Sequence, residues 1–233
     1  MNSEFSKLGQ INREYILSTV QPVLLNTSHL DAFNRNGYVL KVLRNFIVIF
    51  YIPVNNNDGS MASIKINNIL LHFFDISLEE LYSHAIRNIG TYAVLYPLDD
   101  AIAHILNYCK AAENNTESDV DTLSKVYVLS NTDNTDGAAV ILNRDVLSRV
   151  HEIFNGHPYY LLPSSIHEML AVDSYKASAK ELQDIVISVN HDVVQPDEYL
   201  SDLILYCDSC QLYELDCRHT LDSQKINAVQ LPV

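Results

Sequence analysis

Tryptophan is absent, and the six glycines and seven prolines stand singly along the chain. Collagen-like, mucin-like and Gly-rich architectures are thereby excluded. With no Gly-rich run there is neither a dinucleotide fingerprint nor a P-loop, and His-Glu-x-x-His and EF-hand patterns are missing too; no cofactor is expected. Basic residues are also scarce. Fifteen Lys and Arg face 29 Asp and Glu, a formal net charge of −14 and a pI near 4.9. A protein that held nucleic acid by neutralising phosphates would be basic, so direct nucleic-acid binding is not expected. No apolar run approaches a membrane span: the longest, Phe46–Val54, is about half of one. Met1–Gln10 is polar and lacks the apolar stretch of a signal peptide. The four cysteines, Cys109, Cys207, Cys210 and Cys217, are too few and too unevenly spread for a secreted disulfide framework. A soluble protein in a reducing, cytoplasmic setting is expected.

What is present is material for a core. Hydrophobic residues make up 48% of the 233 and charged residues only 19%, which excludes a disordered chain. The charge is divided unevenly. Residues 1–90 carry seven groups of each sign, and residues 91–233 carry eight basic and 22 acidic. An acidic C-terminal half suits a basic protein partner, although a solvated acidic surface serves solubility equally well.

The patterning predicts an α+β fold: a mainly antiparallel sheet with interspersed helices, preceded by an N-terminal helical segment over residues 1–44. Phe5, Leu8, Ile11, Tyr15 and Ile16 share a helical face, and Pro22 is placed to open a short helix. Residues 45–233 form the α+β domain, with a polar stretch at 112–124 as the natural internal boundary. Strands are predicted at Asn45–Val54 and Met61–Ile66, turning at Asp58-Gly59. A helix over Ser77–Ile89 starts on a capping box, Ser77 with Glu80, and stops at Gly90. Then follow a strand over Tyr92–Tyr96, a helix over Leu98–Ala111, and strands at Lys125–Leu129 and Ala138–Leu142. Asn143 caps a helix that ends at Gly156. A strand at Tyr159–Leu162, a helix after Ser178 and a closing hairpin, Leu203–Tyr206 with Gln211–Leu215, complete the chain.

Three groups of residues invite chemistry. Ser164-Ser165-Ile166-His167-Glu168 holds a hydroxyl, an imidazole and a carboxylate in one string. A hydrolase would use Ser165 as nucleophile and His167 as general base. On a strand Glu168 would face away from both, so Asp173 or Asp202 would have to orient the ring. The same string has a structural reading: Ser165 and Glu168 form a capping box, and Ser164 and His167 satisfy buried backbone groups. Cys207-x-x-Cys210 with Cys217 and His219 could complete a zinc tetrahedron, or the cysteines are small apolar residues of a hairpin turning at Asp208-Ser209. Tyr159 and Tyr160 alternate faces, so one of them is a candidate exposed aromatic for protein recognition.

Several strings together resemble a bacterial family, domain of unknown function 5688. They are Tyr127–Asn131 with Gly137–Leu142, then Leu161–Glu168, Val189-Asn190 and Leu200–Asp202. Upstream the order Phe46–Val54, Ser63–Asn68, Ile76–Leu81 and Ala85–Asn88 fits as well, so the resemblance runs from about 45 to 206. It implies a cytoplasmic protein of intestinal anaerobes and their mobile elements, and no activity. The expectation is a non-enzymatic acidic interaction protein, an accessory or anti-defence factor of a mobile element, that binds a basic protein partner.

Overall fold

The computed structural model describes residues 11–55, 61–98, 126–217 and 227–231. It is α+β, with two antiparallel sheets. The first has four strands: β1 (Gln21–Asn26), β2 (Leu40–Leu43), β3 (Phe46–Asn55) and β4 (Met61–Lys65). Strand β3 is the spine. Strand β1 pairs along one side of it, and β2 and β4 follow one another along the other. The second sheet has seven strands in the order β11-β10-β9-β7-β8-β6-β5. These are β5 (Ala93–Pro97), β6 (Val126–Asn131), β7 (Tyr159–Ser165), β8 (Glu168–Asp173), β9 (Ile204–Asp208), β10 (Gln211–Asp216) and β11 (Asn227–Gln230). The helices are α1 (Arg13–Thr19), α2 (Leu30–Arg35), α3 (Asn68–Phe73), α4 (Leu78–Tyr92), α5 (Arg144–Ile153) and α6 (Ala179–Asp192).

Side-chain alternation explains how the layers stack. On the large sheet, Tyr159, Leu161, Met169, Ala171, Leu205 and Cys207 face a central core shared with α4, α5 and the inner face of the small sheet. The alternate residues Tyr160, Leu162, Val172, Ile204 and Leu215 face Leu182 and Val186 of α6. On the small sheet Phe46, Val48, Phe50 and Ile52 point inward. Val23, Leu25, Ile47 and Ile49 point outward, towards Leu30 and Phe33 of α2.

Several elements differ from the sequence expectation. Gln21–Asn26 is a strand, not a helix opened by Pro22. Pro22 lies on β1, which among the described residues pairs only with β3, and an edge strand tolerates a residue without an N–H. Strands β1 and β2 therefore flank β3 across the expected boundary at residue 44, and residues 21–43 are not a separate helical lobe. Ala138–Leu142 is not a strand. Gly137–Leu142 is a 3-10 helix with all six residues buried, and a short run without a polar face carries no periodicity to read. Gly90 lies inside α4 rather than at its end. The closing hairpin turns at Ser209-Cys210, both at positive φ, one residue later than expected. Residues 99–111 of the expected Leu98–Ala111 helix, the Asp58-Gly59 turn, Cys109 and the 112–124 boundary lie outside the described residues, as does the start of the N-terminal helix.

Candidate functional site

The Ser164–Glu168 string is the tip of the β7–β8 hairpin. Ser165 Oγ accepts a hydrogen bond from the His167 backbone N–H at 3.0 Å. This is a side-chain turn that tightens the tip. The ring looks elsewhere. His167 Nδ1 accepts the Asp136 backbone N–H at 3.0 Å, which places the ring proton of the neutral form on Nε2, 3.5 Å from Glu198 Oε1. The expected Ser165–His167 dyad is thus not formed. Nor do the expected orienting acids reach the ring: Asp173 engages His157 at 3.1 Å, and Asp202 accepts from Asn190 at 2.9 Å. Ser164 Oγ donates to Glu168 Oε1 at 3.2 Å, so these two meet across the hairpin. The capping-box reading fails as well, because Met169 and Leu170 continue into a strand.

What the hairpin tip holds is a loop, residues 131–136. Buried Asn131 folds this loop around its own amide. Its Oδ1 accepts from the N–H groups of Asp133 and Thr135, both at 3.2 Å, and its Nδ2 donates to Thr135 O at 2.7 Å. Asn134 and Asp136 adopt positive φ, 50° and 57°, a conformation that Asn and Asp tolerate better than most residues. Gly137 then passes so close to the hairpin that a Cβ there would lie 2.6 Å from His167 O and 2.4 Å from Ser130 Oγ. Ser130 Oγ and Ala138 N–H donate to His167 O and Ile166 O, at 2.8 and 3.1 Å. On the far side the Ile166 N–H donates to Glu198 O at 3.0 Å, which ties down the 196–198 turn.

The loop and the turn wall a cavity of about 730 Å³ over the outer face of the small sheet. Its floor is apolar, with Val23, Leu25 and Ile49, and its walls bring Asp133, Asp136 and Asp197 together with Lys65 and Tyr51. Burial holds the Asp136 carboxyl above its ordinary range, although the His167 and Lys65 charges pull the other way. Burial, then the Asp136 and Asp133 charges, push the Tyr51 phenol up to about 12, so Tyr51 is a neutral hydroxyl under all ordinary conditions. Among the described residues no hydrogen bond or ion pair occupies the three aspartate side chains. None of these cavity residues stands out in the sequence. The sequence offers only the polar stretch 130–137 that separates the two strands expected at Lys125–Leu129 and Ala138–Leu142.

A family model of unknown function, DUF5688, matches residues 36–209, most of the chain. The chain belongs to this family. The DUF5688 match begins ahead of β2 and ends just after β9, somewhat wider than the resemblance seen in the sequence. It contains the hairpin tip, the 131–136 loop and the 196–198 turn. The outer strand β1, which supplies Val23 and Leu25 to the cavity floor, lies before it. No curated protein and no solved structure matches the chain.

The remaining candidates separate. Cys207 faces the central core, and Cys217 faces the opposite side of the large sheet, against α6. They cannot ligate one ion. Cys210 packs at the central-core side, and His219 lies outside the described residues. Burial pushes the Cys207 thiol up to about 12, the opposite of what a metal-binding or nucleophilic thiolate needs. Among the described residues no group of three His, Cys, Asp or Glu side chains is placed to hold a metal ion. Neither tyrosine is exposed: Tyr159 is fully buried with its hydroxyl on Leu147 O at 3.0 Å, and Tyr160 packs under α6. Among the described residues no helix is long and apolar enough to cross a membrane.

Proposed function

We propose that this DUF5688 protein is a non-enzymatic, acidic interaction protein that binds a basic protein partner. One observation carries the reading: an open cavity presents three aspartates with no hydrogen bond or ion pair among the described residues, over an apolar floor. Carboxylates left in this state are available to a cationic partner, whose approach they accelerate and whose register they set. The acidic C-terminal half extends the same attraction over the surface. The Ser165 and His167 groups, by contrast, are spent on holding the hairpin and the loop. Service to a mobile element, as an accessory or anti-defence protein, is consistent with a binding role.

The test is affinity capture from host lysate at low and high salt, followed by titration of the purified partner. The expected result is one stoichiometric partner whose affinity falls with salt and is retained by Ser165→Ala. Esterase or amidase activity lost in Ser165→Ala, with no partner at either salt, would overturn the reading in favour of a hydrolase.

A further inference from the structure

We propose that the cavity walled by the 131–136 loop receives a single arginine or lysine side chain from an extended segment of the partner protein. This rests on the reading above that the partner is basic, and it names where and how that basicity is read. The cavity has two chemistries at two depths. Val23, Leu25 and Ile49 form an apolar floor, continuous with the outer face of the small sheet. Asp133 and Asp136 line the same cavity as Tyr51, and their charges act on its hydroxyl. A long side chain with a methylene stem and a cationic head matches both. The stem covers apolar surface while the head meets carboxylates, the division that Lys and Arg adopt wherever they line apolar surface.

The charge balance favours a cationic head. Three aspartates against Lys65 leave a formal excess of two negative charges around the cavity. One cationic head, desolvated beside Asp133 and Asp136, reduces this excess without reversing it. Tyr51 strengthens the preference: it stays neutral, so it adds a ring face and a hydroxyl rather than a third charge. Arginine fits best, because a planar guanidinium both stacks on an aromatic ring and spans two acceptors. A bare metal ion is a poor match for a cavity of about 730 Å³ with an apolar floor. The loop is pre-organised for the task. Asn131 and His167 hold it through backbone atoms, which leaves the aspartate side chains of the loop for the ligand.

The probe is the tripeptide N-acetyl-Leu-Arg-Leu-amide, titrated into the full chain and followed by amide chemical shifts in 15N-labelled protein. Its citrulline analogue, of the same shape without the charge, is the control, and spermidine is the non-peptide cation. Saturable shifts are expected at Tyr51, Lys65, Asp133 and Asp136. Affinity should be about tenfold weaker for citrulline and about tenfold weaker in Asp133→Asn/Asp136→Asn. A folded spectrum confirms that the variant is intact; were it to misfold, Asp133→Asn alone, at an exposed side chain without a hydrogen bond among the described residues, takes its place. Equal affinity for citrulline, shifts confined to other surfaces, or spermidine binding as well as the peptide would overturn the proposal. Salt-sensitive partner capture unchanged in Asp133→Asn/Asp136→Asn would overturn it while leaving the broader reading standing. Failure of capture with the tripeptide still bound at the cavity would do the reverse.

Discussion

Gly90 shows how much a single missing methyl group decides. A Cβ at this position of α4 would lie 2.3 Å from Asn143 Nδ2 and 2.8 Å from its Cγ. Asn143 cannot retreat without loss. Its Nδ2 donates to Ile86 O at 2.8 Å, and its Oδ1 caps α5 by accepting from the N–H groups of Asp145 and Val146. Gly90→Ala should therefore cost about 1–3 kcal/mol by overpacking and loss of the cap, read as a lower urea midpoint at unchanged slope. Gly137→Ala should cost more, at least about 3 kcal/mol, because two of the atoms it meets, Asn131 N and His167 O, are backbone and cannot rotate away. A smaller loss for Gly137 than for Gly90 would contradict this ordering. Gly90 reads in the sequence as the end of a helix, and Gly137 as one residue of a longer string. Their actual role, close approach between elements, has no local signature.

At the scale of elements, the β7–β8 hairpin is the structural hub of the cavity. Its tip holds the 131–136 loop through the His167 ring, and the 3-10 helix and the 196–198 turn through backbone hydrogen bonds. Ser165→Ala removes one bond within the tip, for an expected cost of about 1 kcal/mol, with binding of the arginine tripeptide unchanged. His167→Ala removes the acceptor for the Asp136 N–H. It should loosen the loop, raise hydrogen exchange at residues 133–136, and weaken the tripeptide about tenfold if a formed loop is needed. Exchange rates unchanged in His167→Ala would show that the loop stands without the ring. The α-helices were the most legible elements. Ser77 does cap α4 by accepting from the Glu80 N–H at 3.2 Å, and Asn143 does cap α5. The hairpin tip was harder, because Ser-x-x-Glu suits a helix start and a tight turn alike.

Across the whole molecule, two interactions bind the sheets into one unit. Arg44, at the β2–β3 turn, donates to buried Glu214 of β10 at 2.9 Å, joined by Asn45 at 3.3 Å. Arg44→Ala leaves a buried carboxylate without its charge partner and should cost about 2 kcal/mol or more; Arg44→Ala/Glu214→Gln should recover part of that in the same urea assay. The second is the central core, in which Cys207 is buried. Its thiol, ordinarily near 9, is held protonated to about 12. A group whose folded pKa is raised contributes stability below its unfolded value and loses it as pH rises through the folded one. Stability should therefore fall between about pH 9 and 12, and Cys207→Ala should flatten that fall while lowering the plateau at neutral pH through the cavity it leaves. An alkaline limb of equal slope in both proteins would assign the loss to other groups.

The sequence by itself determined the α+β class, the strands at 46–55 and 61–65, three of the helices, two of them with their N-caps, and the excess of negative charge. These follow from periodicity and capping chemistry, which act over a few residues and leave a local pattern. The tertiary structure alone decided that residues 21–43 complete a sheet, that Gly137–Leu142 is a buried 3-10 helix, and that Cys207 and Cys217 lie on opposite faces. It also decided that His167 serves a backbone amide rather than Ser165. The physical reason is common to all four. An edge strand's partner, the direction of an imidazole and the contents of a cavity depend on residues tens of positions away. Asp136 and His167, or Tyr51 and Asp133, meet only once both sheets have packed.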